Sequence, residues 1–376
     1  MRVDRLVLED FRNYERSEVE LDPRLNVVVG RNAQGKTNLL EALYCLSGLG
    51  SPRGPDSALV RDGAERALVH ADVTRGARTV RLDIELRPGR GLRALLNRTP
   101  VTGTRALREL SVAVFFGPDE LSLVKGSPEG RRRFLDDLAV KLRPARETAR
   151  REWERVLKQR NALLKSAPRA GSSARGARGT LEVWDEALCR AGAQLTAARL
   201  EALGMLLPFA RKRYEAIAGR GRLELAYASG WLGGVPAREA VAFPQGIDEA
   251  VIRSALEAAV EDVRGRELER GVSLVGPQRD DVTVRLAAPS GDGAMLDARV
   301  YASQGDQRTC ALALKLAEYD LLTEVLSDEP ILLLDDVFSE LDAARRAYLL
   351  ETVGRTGQTV VSSAEPGVAD LVAGRI

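Results

Sequence analysis

Apolar and polar residues alternate through the opening stretch "MRVDRLVLEDF", which predicts a half-buried strand. "LNVVV" is a continuous apolar run too short for a helix and reads as a buried strand. "RALVHADVTRGARTVRLDIEL" alternates on both sides of a glycine, the pattern of two strands about a turn. From about residue 130 the period changes. "RREWERVLKQRNALLK" and "TLEVWDEALCRAGAQLTAARLEALGMLL" carry apolar residues every three or four positions with charges between, as amphipathic helices do. The segment joining them, "SAPRAGSSARGARGT", is small, basic and aperiodic, and is expected to be a mobile linker. After about 272, strands and helices alternate again to the end.

This pattern predicts an α/β fold in which residues 1–130 and 271–376 build one domain around an inserted, mainly helical lobe, 131–270. Pro144, Gly204 and Pro208 interrupt the lobe, so it is expected to be a compact body or short arm and not a long heptad coiled coil.

Where the buried strand "LNVVV" ends, the chain reads Gly30-Arg31-Asn32-Ala33-Gln34-Gly35-Lys36-Thr37, Lys36-Thr37 opens a segment with helical spacing, and Asn38 follows as a further candidate nucleotide contact. These residues fit the GxxxxGK[ST] phosphate-binding pattern at every fixed position. The glycines allow a sharp turn with inward N–H groups, which the following helix N-terminus reinforces as an anion nest. Lys36 can reach the β- and γ-phosphates, and the Thr37 hydroxyl can complete a Mg²⁺ shell. An ordinary glycine turn before a helix is the bland alternative; the strand and helix on either side favour nucleotide binding.

Composition then removes several classes. Of 376 residues 44% are hydrophobic and 29% charged, as in a soluble chain with a sizeable core. No apolar run approaches the ~18 residues of a membrane span, and no apolar core of a signal peptide is visible, so a cytoplasmic protein with no membrane partner is expected. Cys45, Cys189 and Cys310 are odd in number and widely spaced, which argues against a disulfide framework or a thiolate metal site. The only histidine, His70, lies in a predicted strand and is read as structural.

A carboxylate pair supplies the second half of the candidate site. Ile331 to Leu334 reads as a buried strand ending in Asp335-Asp336. In a P-loop fold a carboxylate there holds Mg²⁺, which suits Asp335, and Asp336 would be placed to orient or deprotonate the attacking water. Upstream, Ser303-Gln304-Gly305 precedes an apolar helix. With Asp306 three residues on, Ser303 could be a simple capping box, or the three could form a second anion-binding end.

Several longer stretches carry a family resemblance: "FRNY" at Phe11 to Tyr14, the loop at Gly30, "PDELSLVKGSPEGRRRFLD" from Pro118, "LKQRNALLK", "SQG" at Ser303 and "LLDDVFSELDAARRAYL" from Leu333. Over essentially its whole length the chain resembles the RecF family of DNA replication and repair proteins, relatives of SMC-type and ABC-type ATPases. The resemblance implies an ABC/SMC-type P-loop ATPase head that binds ATP and Mg²⁺ and hydrolyses ATP slowly, with Lys36 and Asp336 as its catalytic residues. It also implies ATP-dependent homodimers in which Ser303, Gln304 and Gly305 act in trans, Arg12 and Asn13 near the nucleotide, and Ser339 to Asp342 crossing the dimer interface. Partners implied are duplex or gapped DNA, bound without sequence specificity, RecO and RecR, with a role in RecA loading and the SOS response.

The sequence departs from that pattern in places. Asp336 stands where many ABC-type ATPases have Glu, Ser362-Ser363 where a His is common, and Gln278 where His is expected in "VGPQRDD"; no Q-loop glutamine is assigned. Net charge is only +2, but residues 131–180 hold fifteen Lys or Arg against five Asp or Glu, a surplus of ten that suits phosphate contacts in the lobe. Two rival readings share the nucleotide site: a transporter-type ATPase cassette, and a nucleotide-binding scaffold without turnover.

Overall fold

The computed structural model describes residues 1–166, 173–219, 221–232, 248–288, 293–365 and 367. The described chain divides into two compact units, Met1–Leu121 with Ala311–Ile376, and Ser122–Cys310.

The first unit opens with β1 (Arg2–Phe11), β2 (Tyr14–Glu20), β3 (Leu25–Val29) and α1 (Lys36–Cys45). It continues through β4 (Ala67–Arg75), β5 (Arg78–Arg87), β6 (Gly91–Leu96), β7 (Thr99–Val101), α2 (Arg105–Leu110) and β8 (Ala113–Phe116). The alternating strands make an antiparallel sheet in the order β2-β1-β4-β5-β6-β7. One face is buried and the other polar: Leu82, Ile84 and Leu86 of β5 point into the core while Arg81, Asp83 and Glu85 do not. The two strands expected about Gly76 are β4 and β5, paired from Ala67↔Leu86 to Arg75↔Arg78.

The second unit holds α3 (Ser122–Lys125), α4 (Pro128–Leu142), α5 (Arg146–Ser166), α6 (Ser173–Ala218), β9 (Leu223–Ala228) and α7 (Glu249–Arg270). After these come β10 (Asp281–Ala287), β11 (Met295–Asp297) and α8 (Ala298–Tyr301). The dividing point falls inside α9 (Gln304–Leu326); β12 (Ile331–Asp335), α10 (Ala343–Val353) and β13 (Thr359–Ser363) return to the first unit. There β3, β13, β12 and β8 form a parallel sheet in that order. The continuous apolar runs that predicted buried strands are these strands. Side chains of α1, of β8, β12 and β13, and of the antiparallel sheet share one apolar core.

The 131–270 stretch is mainly helical, as expected, and "LELAYA" within it forms β9, which joins β10 and β11 in a three-stranded antiparallel sheet. Two local expectations are corrected. Residues 167–172 of the expected linker lie outside the described residues, but Ser173–Thr180 already belong to α6; its Ala and Arg residues favour helix enough to carry Gly176 and Gly179. The same 46-residue helix runs through Gly204 and Pro208. The carbonyl left without a donor by Pro208 lies four residues back, on Gly204, where the absent side chain leaves the backbone room to tilt around the ring. Cys45, Cys189 and Cys310 are free and buried. Burial pushes the Cys189 and Cys310 thiols up to about 12.

Candidate nucleotide site

β3 delivers the chain into the glycine loop, and Gly30 N–H still donates to Ser363 O of β13 at 3.3 Å, so the loop starts where the sheet stops. At its far end Gly35 has φ +99°, a conformation side chains rarely adopt, and an added Cβ would meet the Asn13 amide at 2.7–2.8 Å. Asn13 and Tyr14 brace this turn from the β1–β2 hairpin: Tyr14 Oη donates to Gly35 O at 3.1 Å, and Asn13 Oδ1 accepts from Asn38 Nδ2 at 2.8 Å. Ala33 also sits at φ +65°. An alanine held there costs about 1–2 kcal/mol, so the loop is strained by its own path.

α1 begins at Lys36 without a side-chain cap and without an acid in its first turn. Its open N–H groups and the positive end of its dipole therefore face the loop, which is the arrangement that receives an anion. Lys36 is largely buried, and its ammonium lies inside the loop, donating to Gly30 O at 2.7 Å and Arg31 O at 2.9 Å. Gln34 closes the loop's mouth, its Oε1 accepting the Arg31 N–H at 2.6 Å. Both contacts are ones that phosphate oxygens can replace. Arg31, Asn32, Ala33 and Gln34 are exposed, open to a ligand from solvent.

Thr37 and Asp335 meet at the junction of α1 and β12, with Thr37 Oγ1 donating to Asp335 Oδ1 at 2.8 Å. Ser362 Oγ donates to the same oxygen at 2.6 Å, and Asp335 is only 4% exposed. A buried carboxylate and a threonine hydroxyl pointing at each other form a hard oxygen pair that suits Mg²⁺. Asp336 follows at a reversal of the chain: its φ is +50°, and its Oδ1 accepts Ala364 N–H at 3.4 Å. Its backbone N–H is held by Ser362 O at 3.1 Å, so the serine pair that replaces the common histidine is built into this corner.

Arg12 lies in the same unit but its guanidinium is already engaged, binding Glu41 of α1 through two bonds of 2.8 and 2.7 Å. Glu41 is fully buried and also accepts the Ser51 hydroxyl. Ser51 in turn caps the following loop by accepting Arg53 and Gly54 N–H. A cleft of about 620 Å³ opens beside the loop, lined by Arg12, Asn13, Asn38, Arg53, Pro55 and Val60 among others. Sequence reasoning missed Glu41 and Ser51, and marked Ser362 only as standing where a histidine is common. Only Glu41 left a signal, an acid on the apolar face of "KTNLLEALYC".

Gly30 to Asn38, Arg12, Asn13, Asp335 and Asp336 are thus brought together in the first unit. Ser303, Gln304 and Gly305 lie at the N-terminus of α9, in the second. There the capping reading holds: Ser303 Oγ accepts Asp306 N–H at 3.2 Å and donates to its carboxylate at 2.7 Å. Ser303 and Gln304 are nevertheless exposed. In the "SELD" loop Ser339 Oγ donates to Asp336 O at 2.8 Å, and Asp342 caps α10 by accepting Arg345 N–H at 2.9 Å. That backbone bond, with the Arg345 guanidinium beside it, lowers the Asp342 carboxyl below its usual range.

Residues 2–372 match the family described as RecF/RecN/SMC N terminal domain. The chain is 44% identical over 381 residues to the DNA replication and repair protein RecF of Streptomyces avermitilis, covering all of this chain and 96% of the relative. It is 43% identical to the RecF of a Nocardioides species, again over all of this chain and 96% of the relative. Among solved structures, the recombination mediator protein RecF with ATPrS, from the RecFOR pathway, superposes with a TM-score of 0.83 at 28% identity, covering 97% of this chain and 92% of that one. An Smc head domain from Pyrococcus furiosus, at 15% identity and a TM-score of 0.51 over 99% of this chain and 91% of that one, shares the fold.

Proposed function

The chain belongs to the RecF family, within the RecF/RecN/SMC group, and from that premise we propose that it is an ATP-gated DNA-binding protein of recombinational repair and replication. The observation that carries this reading is the uncapped start of α1, with Lys36 inside the loop and Thr37 paired to Asp335. The family match favours repair over a transporter cassette, since the relatives carry repair names.

In this reading residues 1–130 and 271–376 form the ATPase head and 131–270 the lobe. Triphosphate oxygens displace Gln34 from Arg31 N–H and take the Lys36 ammonium from the Gly30 and Arg31 carbonyls. Thr37 and Asp335 would hold Mg²⁺, which supplies charge neutralisation on the phosphates. The cleft beside the loop has room for the base and sugar. Arg12 contributes positive charge, its partner Glu41 fixing its direction. Asp336 accepts a proton from the attacking water; its shorter reach compared with Glu fits slow turnover.

Ser303, Gln304 and Gly305, at the start of α9 with the first two exposed, complete the site on a second copy, so ATP makes the dimer and the dimer binds DNA. RecO and RecR are its partners in that pathway, with RecA loading the outcome. Duplex and gapped DNA binding, titrated with and without ATP and Mg²⁺, tests the reading. ATP-strengthened binding is expected; equal affinity in both conditions would leave a nucleotide-binding scaffold instead.

A further inference from the structure

Of the fifteen cations in residues 131–180, eight are in ion pairs among the described residues. Arg131 pairs with Asp281, Arg143 and Arg146 with Glu201, Arg150 with Asp137, and Arg151 with Glu147. Arg160 is fully buried between Asp185 and Glu267. Guanidinium groups tied to carboxylates, several of them out of solvent, are poorly placed to bind phosphate. Of the remaining cations, Arg169 lies outside the described residues.

The opposite holds in the antiparallel sheet of the first unit. Between residues 87 and 108 the chain carries six arginines and no Asp or Glu. Three of them, Arg90, Arg93 and Arg98, are exposed, and their guanidinium groups have no ion-pair or hydrogen-bond partner among the described residues. Glu85, the acid in register with Arg93, is already bound by Arg87 and Arg66. Arg93 lies on the face turned from the core, since its neighbour Ala94 is buried. Arg90 and Arg98 occupy the two turns that end β6, so the three span one six-residue strand, roughly 20 Å.

Backbone geometry supplies a second, independent pointer. The β6–β7 connection is a two-residue turn with positive φ at both positions, Asn97 at 48° and Arg98 at 67°. Such turns favour Asn-Gly, and a side chain at the second position is strained. Asn97 is as expected, but an arginine stands where glycine would be more stable. The neighbouring β5–β6 turn shows no such conflict: Pro88 and Gly89 fill its corner, with Gly89 at φ +73° and Arg90 N–H closing onto Arg87 O at 3.1 Å.

Resting on the DNA-binding reading above, we propose that the outer surface of the β5–β6–β7 edge, through Arg90, Arg93 and Arg98, is a duplex DNA phosphate-backbone contact. Three unpaired guanidinium groups along an extended strand suit backbone phosphates by charge, and no base-reading element accompanies them, so the contact is independent of sequence. The paired arginines of the helical lobe contribute little to it.

DNA titrations of the full-length protein with ATP at several salt concentrations test this. Replacing Arg90, Arg93 and Arg98 together by Gln is expected to weaken duplex binding about tenfold or more and to flatten the slope of log affinity against log salt by about 2 to 3. ATP hydrolysis without DNA stays at the wild-type rate. The Lys triple variant retains the slope, because phosphate contact needs the charge. Arg98→Gly is the most discriminating single change: it relieves the turn and raises the melting temperature, yet lowers the salt slope by about 1. Wild-type affinity and slope in the Gln variant, or equal losses in the Lys and Gln variants, would overturn the surface. If the wild-type protein itself fails to bind DNA with ATP, the DNA-binding reading fails first, and the surface with it.

Discussion

Thr37 and Asp335 stand 298 residues apart in the chain and 2.8 Å apart in the fold. That bond joins the two halves of the candidate nucleotide site before any ligand arrives, and the first prediction concerns the groups on either side of it. Lys36→Ala removes the ammonium inside the loop and is expected to weaken ATP binding about 10- to 100-fold, the range of a hydrogen bond to a charged group. Asp336→Asn leaves Lys36, Thr37 and Asp335 in place, so binding persists while phosphate release falls to background. Equilibrium nucleotide binding and single-turnover hydrolysis on both variants measure this; normal turnover in Asp336→Asn would remove the proton-accepting role.

Ser303→Arg places a long cation at the exposed start of α9, where a second copy must dock. Loss of the cap costs about 1 kcal/mol, too little to unfold the chain. Wild-type protein is expected to sediment as a monomer alone and a dimer with ATP, and the variant as a monomer in both. A variant that still dimerises with ATP would end the case for action in trans.

Arg12, Glu41 and Ser51 form a buried polar cluster whose failure is predicted to be structural. Glu41→Ala removes the carboxylate that holds the Arg12 guanidinium and accepts the Ser51 hydroxyl, and should lower stability by about 3 kcal/mol, as removal of one partner from a buried pair does. Denaturant midpoints report it, with the dependence on denaturant unchanged. A shift under about 1 kcal/mol would mean that water replaces the carboxylate freely.

Burial raises the Asp280 carboxyl to about 6, even though Tyr227 and Trp231 donate to it at 2.8 Å each. The folded protein therefore holds this proton more tightly than the unfolded chain does. Stability from this group is fully present below pH ~4 and is lost as pH rises through ~6. Asp280→Asn can accept from Trp231 and donate to Tyr227, whose hydroxyl can reverse its role. The variant is expected to gain roughly 2–3 kcal/mol relative to wild type between pH 4.5 and 7.5. Parallel stability curves for the two proteins across that interval would contradict it.

Much of this site could be read from the chain, because the loop's requirements are local. Glycine at φ +99°, a lysine one residue on and a hydroxyl after that are fixed by turn and helix geometry, and Gly30 to Thr37 carry them in eight consecutive residues. Asp335 was legible for a related reason: a buried strand must end, and a carboxylate at its end stands out. Glu41 and Ser51 were not, since their meaning depends on Arg12 arriving from another strand. The strand β9 was overlooked because six residues of "LELAYA" stand among long helices, and short apolar runs do not distinguish the two states. Charge was least legible in the helical lobe, where counting residues cannot reveal which cations are already paired.

The parallel sheet has a consequence for the order of events during synthesis. β3, which carries the loop, pairs in this sheet with β13 alone, and Asp335 leaves the ribosome long after Thr37. At about 5–20 residues per second, 298 residues take roughly 15 to 60 s, during which the loop has an antiparallel sheet beside it but no strand to pair with. The phosphate-binding residues become a site only after Asp335 and β13 have been made. A ribosome that stalls before Thr359 therefore releases a protein whose motif is intact in sequence and absent in structure.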